Sequence, residues 1–259
     1  MIIGNCTYSV RDYIRGGEMD LLEFPAFNAG LGIEALEYND MFIEDWSDNA
    51  LAAIKQSAAD AGCYIQCLTC GGNFASDDEA VRRESIDTIR QRLHDAATFG
   101  APVIRANIGG TGDEEREPTV GVERVIEGFN ELLPTARDLD IKITIENHGG
   151  VSKWADPIVK IILGTDPEYV GSCPDFGNFK PIERKYLELA KVIPYAHHTH
   201  AKTHEFTDDG EDDEYSMERV LAFYQAAGLD DTVLSIEFEG SGDQKVGVER
   251  TRDLLARYL

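Results

Sequence analysis

The chain has 259 residues, 42% of them hydrophobic, which is enough for one large domain with a well-buried core. Its 48 acidic residues against 24 lysines and arginines give a net charge of −24, which disfavours a nucleic-acid partner because phosphate binding relies on positive side chains. No run of about 18 apolar residues predicts a membrane-spanning helix, and the N-terminus lacks the layout of a signal peptide, so we expect a cytoplasmic protein without a membrane partner.

The acidic residues form runs in segments that are typical of loops, such as Glu211-Asp212-Asp213-Glu214. A solvated acidic surface is the ordinary explanation of such runs. We add the hypothesis that the source is salt-adapted, since dense counter-ions would screen the self-repulsion of so large a net charge.

Strand-like and helix-like segments alternate along the whole chain. The predicted strands are Ile2–Thr7, Gly32–Tyr38, Cys63–Thr69, Pro102–Asn107, Lys142–Glu146, Tyr169–Pro174, Tyr195–Ala201 and Thr232–Phe238. The predicted helices are Glu18–Ala29, Ala50–Ala61, Asp77–Phe99, Val120–Leu139, Trp154–Leu163, Glu183–Lys191, Met217–Ala227 and Gln244–Tyr258.

Eight such units predict an α/β protein with a single domain over residues 1–259, a (β/α)₈ TIM barrel. The alternative is an open doubly wound sheet. No GxGxxG or GxxxxGK[ST] motif follows the first strand, so the nucleotide-binding form of that alternative lacks its usual signature.

Two of the five cysteines, Cys67 and Cys70, have CxxC spacing within a predicted strand. No second pair and no neighbouring histidine in the sequence completes a zinc motif. We therefore expect buried thiols in a reducing compartment.

Polar residues stand where predicted strands 5 to 8 meet their loops, at Glu146, Asp175, His200 and Glu237. The gaps between them are 29, 25 and 37 residues, and each gap suits one strand–helix unit. Because the carboxyl ends of barrel strands share one face, these side chains can converge there. Three carboxylates packed together require a cation to stay ionised. We expect one divalent ion (Mn, Mg, Co or Zn) held by all four residues.

Strand alternation sorts the neighbouring histidines. His198, His200 and Lys202 share one face of strand 7, whereas His197 and Thr199 share the other. If His200 points into the barrel mouth, Lys202 joins it there and His197 faces the helices in a structural role.

These strand ends make the chain resemble the xylose isomerase-like TIM-barrel superfamily, often labelled sugar phosphate isomerase/epimerase. The similarity covers nearly the full length. It is most specific in the segments Ile145-Glu146-Asn147-His148-Gly149-Gly150, Asp175-Phe176-Gly177-Asn178, His200-Ala201-Lys202 and Ser235-Ile236-Glu237-Phe238-Glu239-Gly240. The resemblance implies the same metal quartet, with Glu146 and Glu237 as catalytic residues on opposite sides of the substrate. It also implies that three segments after strands 2, 3 and 4 line the substrate pocket, namely Glu37-Tyr38-Asn39-Asp40, Gly71-Gly72-Asn73-Phe74 and Arg105-Ala106-Asn107.

One residue departs from the pattern of the ketose 3-epimerases in this superfamily, which commonly have a substrate-binding histidine three residues after the strand-6 aspartate. Asn178 occupies that position here, so the resemblance to the 3-epimerases is weaker than the resemblance to the superfamily. We keep Asn178, His148 and Lys202 as expected substrate-binding residues. His148 would position a hydroxyl, and Lys202 would neutralise substrate oxygens or a phosphate.

The resemblance therefore predicts a divalent-metal-dependent isomerase or epimerase that acts on a small polyhydroxylated substrate, a sugar or sugar phosphate, by proton transfer through a metal-stabilised enediolate. A metal-dependent dehydratase of a cyclitol or keto acid, such as inosose or dehydroshikimate, is the alternative. Endonuclease IV-like chemistry is disfavoured because strands 2 to 4 end without histidines. A non-catalytic sugar- or metal-binding barrel is the remaining alternative, and family members are commonly homo-oligomers.

Overall fold

A computed structural model describes all residues from 1 to 259 and contains one sheet of eight strands. The strands are β1 Ile2–Cys6, β2 Ala35–Asn39, β3 Tyr64–Cys70, β4 Val103–Ala106, β5 Lys142–Glu146, β6 Val170–Cys173, β7 His200–Thr203 and β8 Val233–Phe238. Consecutive strands pair in parallel from β1 to β6, and β8 pairs in parallel with both β1 and β7.

The seam between β6 and β7 closes the ring with fewer hydrogen bonds than the other pairs. Two isolated parallel bridges join Ser172 to Ala196 and Asp175 to His200. The backbone N–H of His200 donates to the Pro174 carbonyl oxygen at 3.1 Å. The predicted (β/α)₈ TIM barrel is confirmed.

Helices alternate with the strands and form the outer layer. They are α1 Arg11–Arg15, α2 Phe24–Gly30, α3 Asp48–Asp60, α4 Glu79–Phe99, α5 Val122–Leu139, α6 Ala155–Leu163, α7 Ile182–Val192, α8 Met217–Ala226 and α9 Gln244–Ala256. Side chains of Ser47, Asp78, Ser216 and Asp243 accept backbone N–H bonds at four helix N-termini. The apolar faces of helices and strands form one continuous core. None of the helices combines the length and the apolar character that crossing a membrane requires.

Strand 7 differs from its prediction. The predicted Tyr195–Ala201 begins too early, because Ile193–Tyr195 is a 3₁₀ turn and the regular strand is His200–Thr203. The chain approaches β6 so closely here that a Cβ on Gly171 would lie 2.2 Å from His197 Cδ2. The irregular entry into β7 therefore depends on a glycine in β6.

The first helical segment also differs. The predicted helix Glu18–Ala29 is replaced by the short α1 and α2, and the residues before α2 form a turn. The Asp20 carboxylate accepts N–H bonds from Leu22 and Glu23, each at 2.8 Å. Pro25 lies in the first turn of α2, where its missing N–H removes no helical hydrogen bond.

Candidate metal centre and active site

Four buried side chains from four strand ends converge at the mouth of the barrel. One ligand atom each from Glu146, Asp175, His200 and Glu237 lies within 4.8 Å of the others. His200 Nδ1 is 3.3 Å from Glu146 Oε1, 3.6 Å from Glu237 Oε2 and 3.9 Å from Asp175 Oδ2. The structure thus brings together the four residues that the sequence singled out as metal ligands.

The loop after β6 fixes the orientation of Asp175. Its Oδ1 accepts the backbone N–H groups of Gly177 and Asn178 at 2.7 and 2.9 Å. The Asn147 side chain accepts the N–H of Asp175 and donates to its carbonyl oxygen. With Oδ1 and the backbone occupied, Oδ2 is left facing the quartet.

Three of the four ligands direct an atom without a hydrogen-bond partner at the centre of the quartet, whereas Glu146 Oε1 accepts from Asn178 Nδ2. Asp175 Oδ2, His200 Nδ1 and Glu237 Oε2 are buried and unpartnered, a condition that costs about 1–3 kcal/mol for each group unless a ligand compensates it. Three carboxylates and one imidazole form a donor set typical of Mn²⁺, Mg²⁺, Co²⁺ or Zn²⁺. The residues present therefore fit one divalent ion.

A second layer of polar residues beneath the quartet orients His200. Its Nε2 lies 3.0 Å from Glu37 Oε1, so that Nδ1 is directed at the other three ligands. Glu37 also contacts His198 Nε2 at 2.8 Å and accepts a short hydrogen bond from the Thr69 hydroxyl. Burial acts to raise the pKa of Glu37, but His200 and His198 lower it well below the ordinary range. A carboxylate in this position is typical of protein sites that hold a metal through histidine.

The electrostatics of the quartet show a deficit of positive charge. Burial raises the pKa of Asp175 well above its ordinary value, and Glu237 and Glu146 raise it further against the opposing effect of Lys202. The pKa of Glu146 is lowered because Arg105 and His200 outweigh the effect of burial. A divalent ion would allow all three carboxylates to stay ionised.

Lys202 and Asn178 occupy the space between the acidic ligands. The Lys202 ammonium lies 2.9 Å from Glu237 Oε2 and 3.1 Å from Asp175 Oδ2, without the alignment of a hydrogen bond. It donates to Asn178 Oδ1 at 3.1 Å, and Asn178 Nδ2 donates to Glu146 Oε1 at 3.0 Å. Asn178 therefore links the lysine to the strand-5 glutamate.

A cavity of about 290 Å³ opens above the quartet. It is lined by Tyr8, Asn39, Asp40, Met41, Thr69, Cys70, Gly71, Arg105, Asn107, His148, Glu237 and Glu239. Of the expected substrate-binding residues, Arg105, Asn107 and His148 line this cavity. Asn73, Lys202 and Asn178 do not line it. The backbone N–H of Asn73 donates instead to Ser85 Oγ at 2.9 Å, and Lys202 and Asn178 bond each other among the ligands.

The resemblance implied that the segment Glu37-Tyr38-Asn39-Asp40 lines the substrate pocket. Asn39 and Asp40 do line the cavity, whereas Glu37 lies directly behind the quartet and contacts His200. A charged residue within a strand that is buried along its whole length was the available signal for this supporting role.

All five cysteines are buried and free, as expected. Two further groups of potential ligands, Glu37–Cys67–His198 and Cys173–His198–His200, lie near the quartet. Each of these groups offers three ligands rather than four, and each includes His198, whose Nε2 already contacts Glu37 Oε2 at 2.8 Å. The quartet is therefore the better metal site.

The model of the xylose isomerase-like TIM barrel family matches residues 26–258. The chain belongs to this family. No curated protein shows significant sequence similarity to the chain. Its fold is shared with D-psicose 3-epimerase from Clostridium cellulolyticum H10, solved with D-tagatose, at a TM-score of 0.75 and 15% identity, covering 100% of this chain and 98% of that one.

Two more solved structures share the fold. The IolI protein with a bound zinc atom gives a TM-score of 0.75 and 17% identity, covering 100% of this chain and 99% of that one. A sugar phosphate isomerase/epimerase from Parabacteroides distasonis ATCC 8503 gives a TM-score of 0.74 and 15% identity, covering 98% of this chain and 97% of that one. At these identities the likeness establishes the fold alone.

Proposed function

We propose that this chain is a divalent-metal-dependent isomerase or epimerase that transfers a proton between carbons of a small polyhydroxylated substrate, a sugar or a related compound. The observation that supports this most is the quartet, which has three unpartnered ligand atoms and adjoins, through Glu237, a cavity sized for a small molecule. The similar epimerase and zinc-bound structures agree with the proposal.

Glu146, Asp175, His200 and Glu237 would hold the ion. When bound, it would act as a Lewis acid on a carbonyl and an adjacent hydroxyl and stabilise the negative charge formed as a C–H proton leaves. The chain's own residues must then supply the bases.

Two glutamates approach the cavity from different sides. Glu146 ends β5 and Glu237 lies near the end of β8, and these strands are three positions apart around the ring of eight. Burial opposes ionisation of both groups, but Arg105 with His200 lowers the pKa of Glu146, and Lys202 with His200 lowers the pKa of Glu237. Both glutamates therefore start as carboxylates, and one of them can take the C–H proton. In an isomerisation that glutamate, now protonated, returns the proton to the neighbouring carbon. In an epimerisation the second glutamate first takes up a proton from solvent and then delivers it to the opposite face.

Neutral polar side chains around the cavity can orient substrate hydroxyls. Asn107 and His148 follow β4 and β5, and Tyr8 and Asn39 lie on the β1 and β2 side. Together they surround the substrate on several sides. Such placement holds the reacting carbon close to the two carboxylates, which is a large part of enzymatic rate enhancement.

Solvent-exchange measurements test the proposal. Metal-loaded protein incubated in D₂O with a panel of ketoses, aldoses and cyclitols should introduce deuterium at one carbon of at least one compound, read by NMR. Glu146→Gln and Glu237→Gln should each reduce exchange by about 10²–10⁴-fold. The matched control is Glu127→Gln, on the exposed face of α5, which should exchange at the wild-type rate. Absence of exchange at every carbon of every compound would exclude proton transfer on that panel.

A dehydratase is the second candidate, favoured by the position of His148. Loss of water from a cyclitol or keto acid needs the same metal and base together with an acid for the departing hydroxide, and His148 lines the cavity where such an acid would act. Appearance of an enone absorbance with inosose or dehydroshikimate would identify this reaction, whereas isomerisation produces none.

A further inference from the structure

The cavity contains two carboxylates that the proton transfer does not use. Asp40 follows β2 and Glu239 follows β8, and both line the space above the quartet. Asp40 makes no ion pair; its Oδ2 accepts the backbone N–H of Gly71 at 3.0 Å. Asp40 therefore places unpaired negative charge where the outer part of a substrate would lie, and Glu239 adds a carboxylate that shares the Lys202 ammonium with other acidic groups.

The two cations closest to the quartet, Arg105 and Lys202, are already committed. Arg105 is the only lysine or arginine that lines the cavity, and its guanidinium is paired with Glu146. The Lys202 ammonium is shared among three carboxylates, since it lies 3.4 Å from Glu239 Oε1 as well as beside Asp175 and Glu237. Neither side chain is free to neutralise a phosphate.

Some of the backbone groups that could bind phosphate are occupied as well. Barrel enzymes often hold phosphate with N–H groups of glycine-rich loops. Here the N–H of Gly71 donates to Asp40, that of Gly109 to Asn107 Oδ1 at 3.2 Å, and that of Gly177 to Asp175. The loops after β3, β4 and β6 thus each have one N–H donor satisfied by an acceptor from this chain.

We propose that the substrate of this site is an uncharged sugar or cyclitol, and that Asp40 and Glu239 determine this specificity by repelling phosphorylated compounds. The inference rests on the proposed function and deepens it by naming the substrate class. A phosphate group next to these two carboxylates would meet charge of the same sign, and such repulsion weakens the binding of the wrong ligand. The cavity volume of about 290 Å³ is also slightly below the range of about 300–1,000 Å³ that is typical of pockets for drug-sized ligands. A small substrate without a phosphate group therefore fits it better.

Paired ligands test the proposal directly. Binding of a free ketohexose and of the matching ketohexose 6-phosphate to metal-loaded protein is measured by titration calorimetry, together with deuterium exchange for each. The free sugar should bind at least about 10-fold more tightly, the gap expected for like charges within one pocket. In the double variant Asp40→Asn/Glu239→Gln the difference in affinity between the free sugar and its 6-phosphate should become smaller. The control Glu34→Gln/Asp231→Asn removes the same charge from exposed positions before β2 and β8, at the opposite end of the barrel, and should keep the wild-type gap.

The inference is overturned if the 6-phosphate binds as tightly as the free sugar. It is also overturned if the double variant shows the same difference in affinity between the two ligands as wild type. Inorganic phosphate, read by ³¹P line broadening, tests the charge effect even if no sugar binds. The double variant should bind phosphate more tightly than wild type, and the reverse order overturns the inference. If no sugar binds or exchanges, the proposed function is overturned. If the double variant still binds phosphate more tightly than wild type in that case, the charge selectivity remains supported.

Discussion

Replacing Glu37 by glutamine tests whether the layer beneath the quartet tunes the metal site. Glu37 Oε1 contacts Thr69 and His200, and Oε2 contacts His198. A glutamine can keep its oxygen at the Oε1 position and turn its amide toward His198, whose Nδ1 is unpartnered and can take the proton. The hydrogen-bond count is therefore preserved, and the negative charge behind His200 is the main loss.

The expected effect on metal affinity follows from that charge. A hydrogen bond to a carboxylate is about twice as strong as a neutral one and makes the histidine a better donor to the metal. Changes to such supporting residues usually weaken binding by about 10–100-fold. Because the geometry survives, we expect Glu37→Gln at the lower end, about 10-fold, or about 1.4 kcal/mol.

Competition between the protein and a fluorescent chelator for Co²⁺ or Zn²⁺ measures this change. The matched control is Glu188→Gln, an equally buried glutamate whose Oε2 accepts the Ala155 N–H at 3.0 Å within the helix layer. It should leave the metal affinity unchanged. A Glu37→Gln affinity within twofold of wild type would refute the assigned role of Glu37.

Three further predictions concern pH, packing and salt. Burial and neighbouring carboxylates raise the pKa of Asp175, so a proton competes with the metal for this ligand. The metal affinity should therefore keep rising with pH above the ordinary range of an aspartate, and an affinity that does not change with pH contradicts this. Gly171→Ala forces a Cβ against His197 and should lower the free energy of unfolding by about 1–3 kcal/mol in urea titrations, while Gly242→Ala, with open space around it, should cost less. With a net charge of −24, the melting temperature should rise with added KCl, and no rise would argue against salt adaptation.

The barrel and the quartet could be predicted from sequence because both depend on periodic signals. Alternating strand and helix patterns give the fold, and Glu146, Asp175, His200 and Glu237 come from four successive strand units. In the structure Glu146 ends β5, Asp175 follows β6 and Glu237 lies near the end of β8, whereas His200 begins the regular part of β7. Strand alternation also placed Lys202 on the same side as His200, as the structure shows. These inferences need only local pattern and the general geometry of the barrel.

The rest depends on contacts between distant segments. The hydrogen bonds of Glu37 reach residues 161 and 163 positions away, and no local pattern indicates them. Asn73 was expected at the cavity because of its loop, but Ser85 holds its backbone outside the lining. The start of β7 depends on its close approach to Gly171, which only the three-dimensional packing reveals.

The most direct test of the central claim is anomalous X-ray diffraction from crystals grown with Mn²⁺ or Zn²⁺. We predict a single strong anomalous peak per chain, within bonding distance of Glu146, Asp175, Glu237 and His200 Nδ1, with the Lys202 ammonium displaced from the carboxylates. A peak among Cys67, Cys173 and His198, or no peak at the quartet in metal-saturated crystals, would contradict the account.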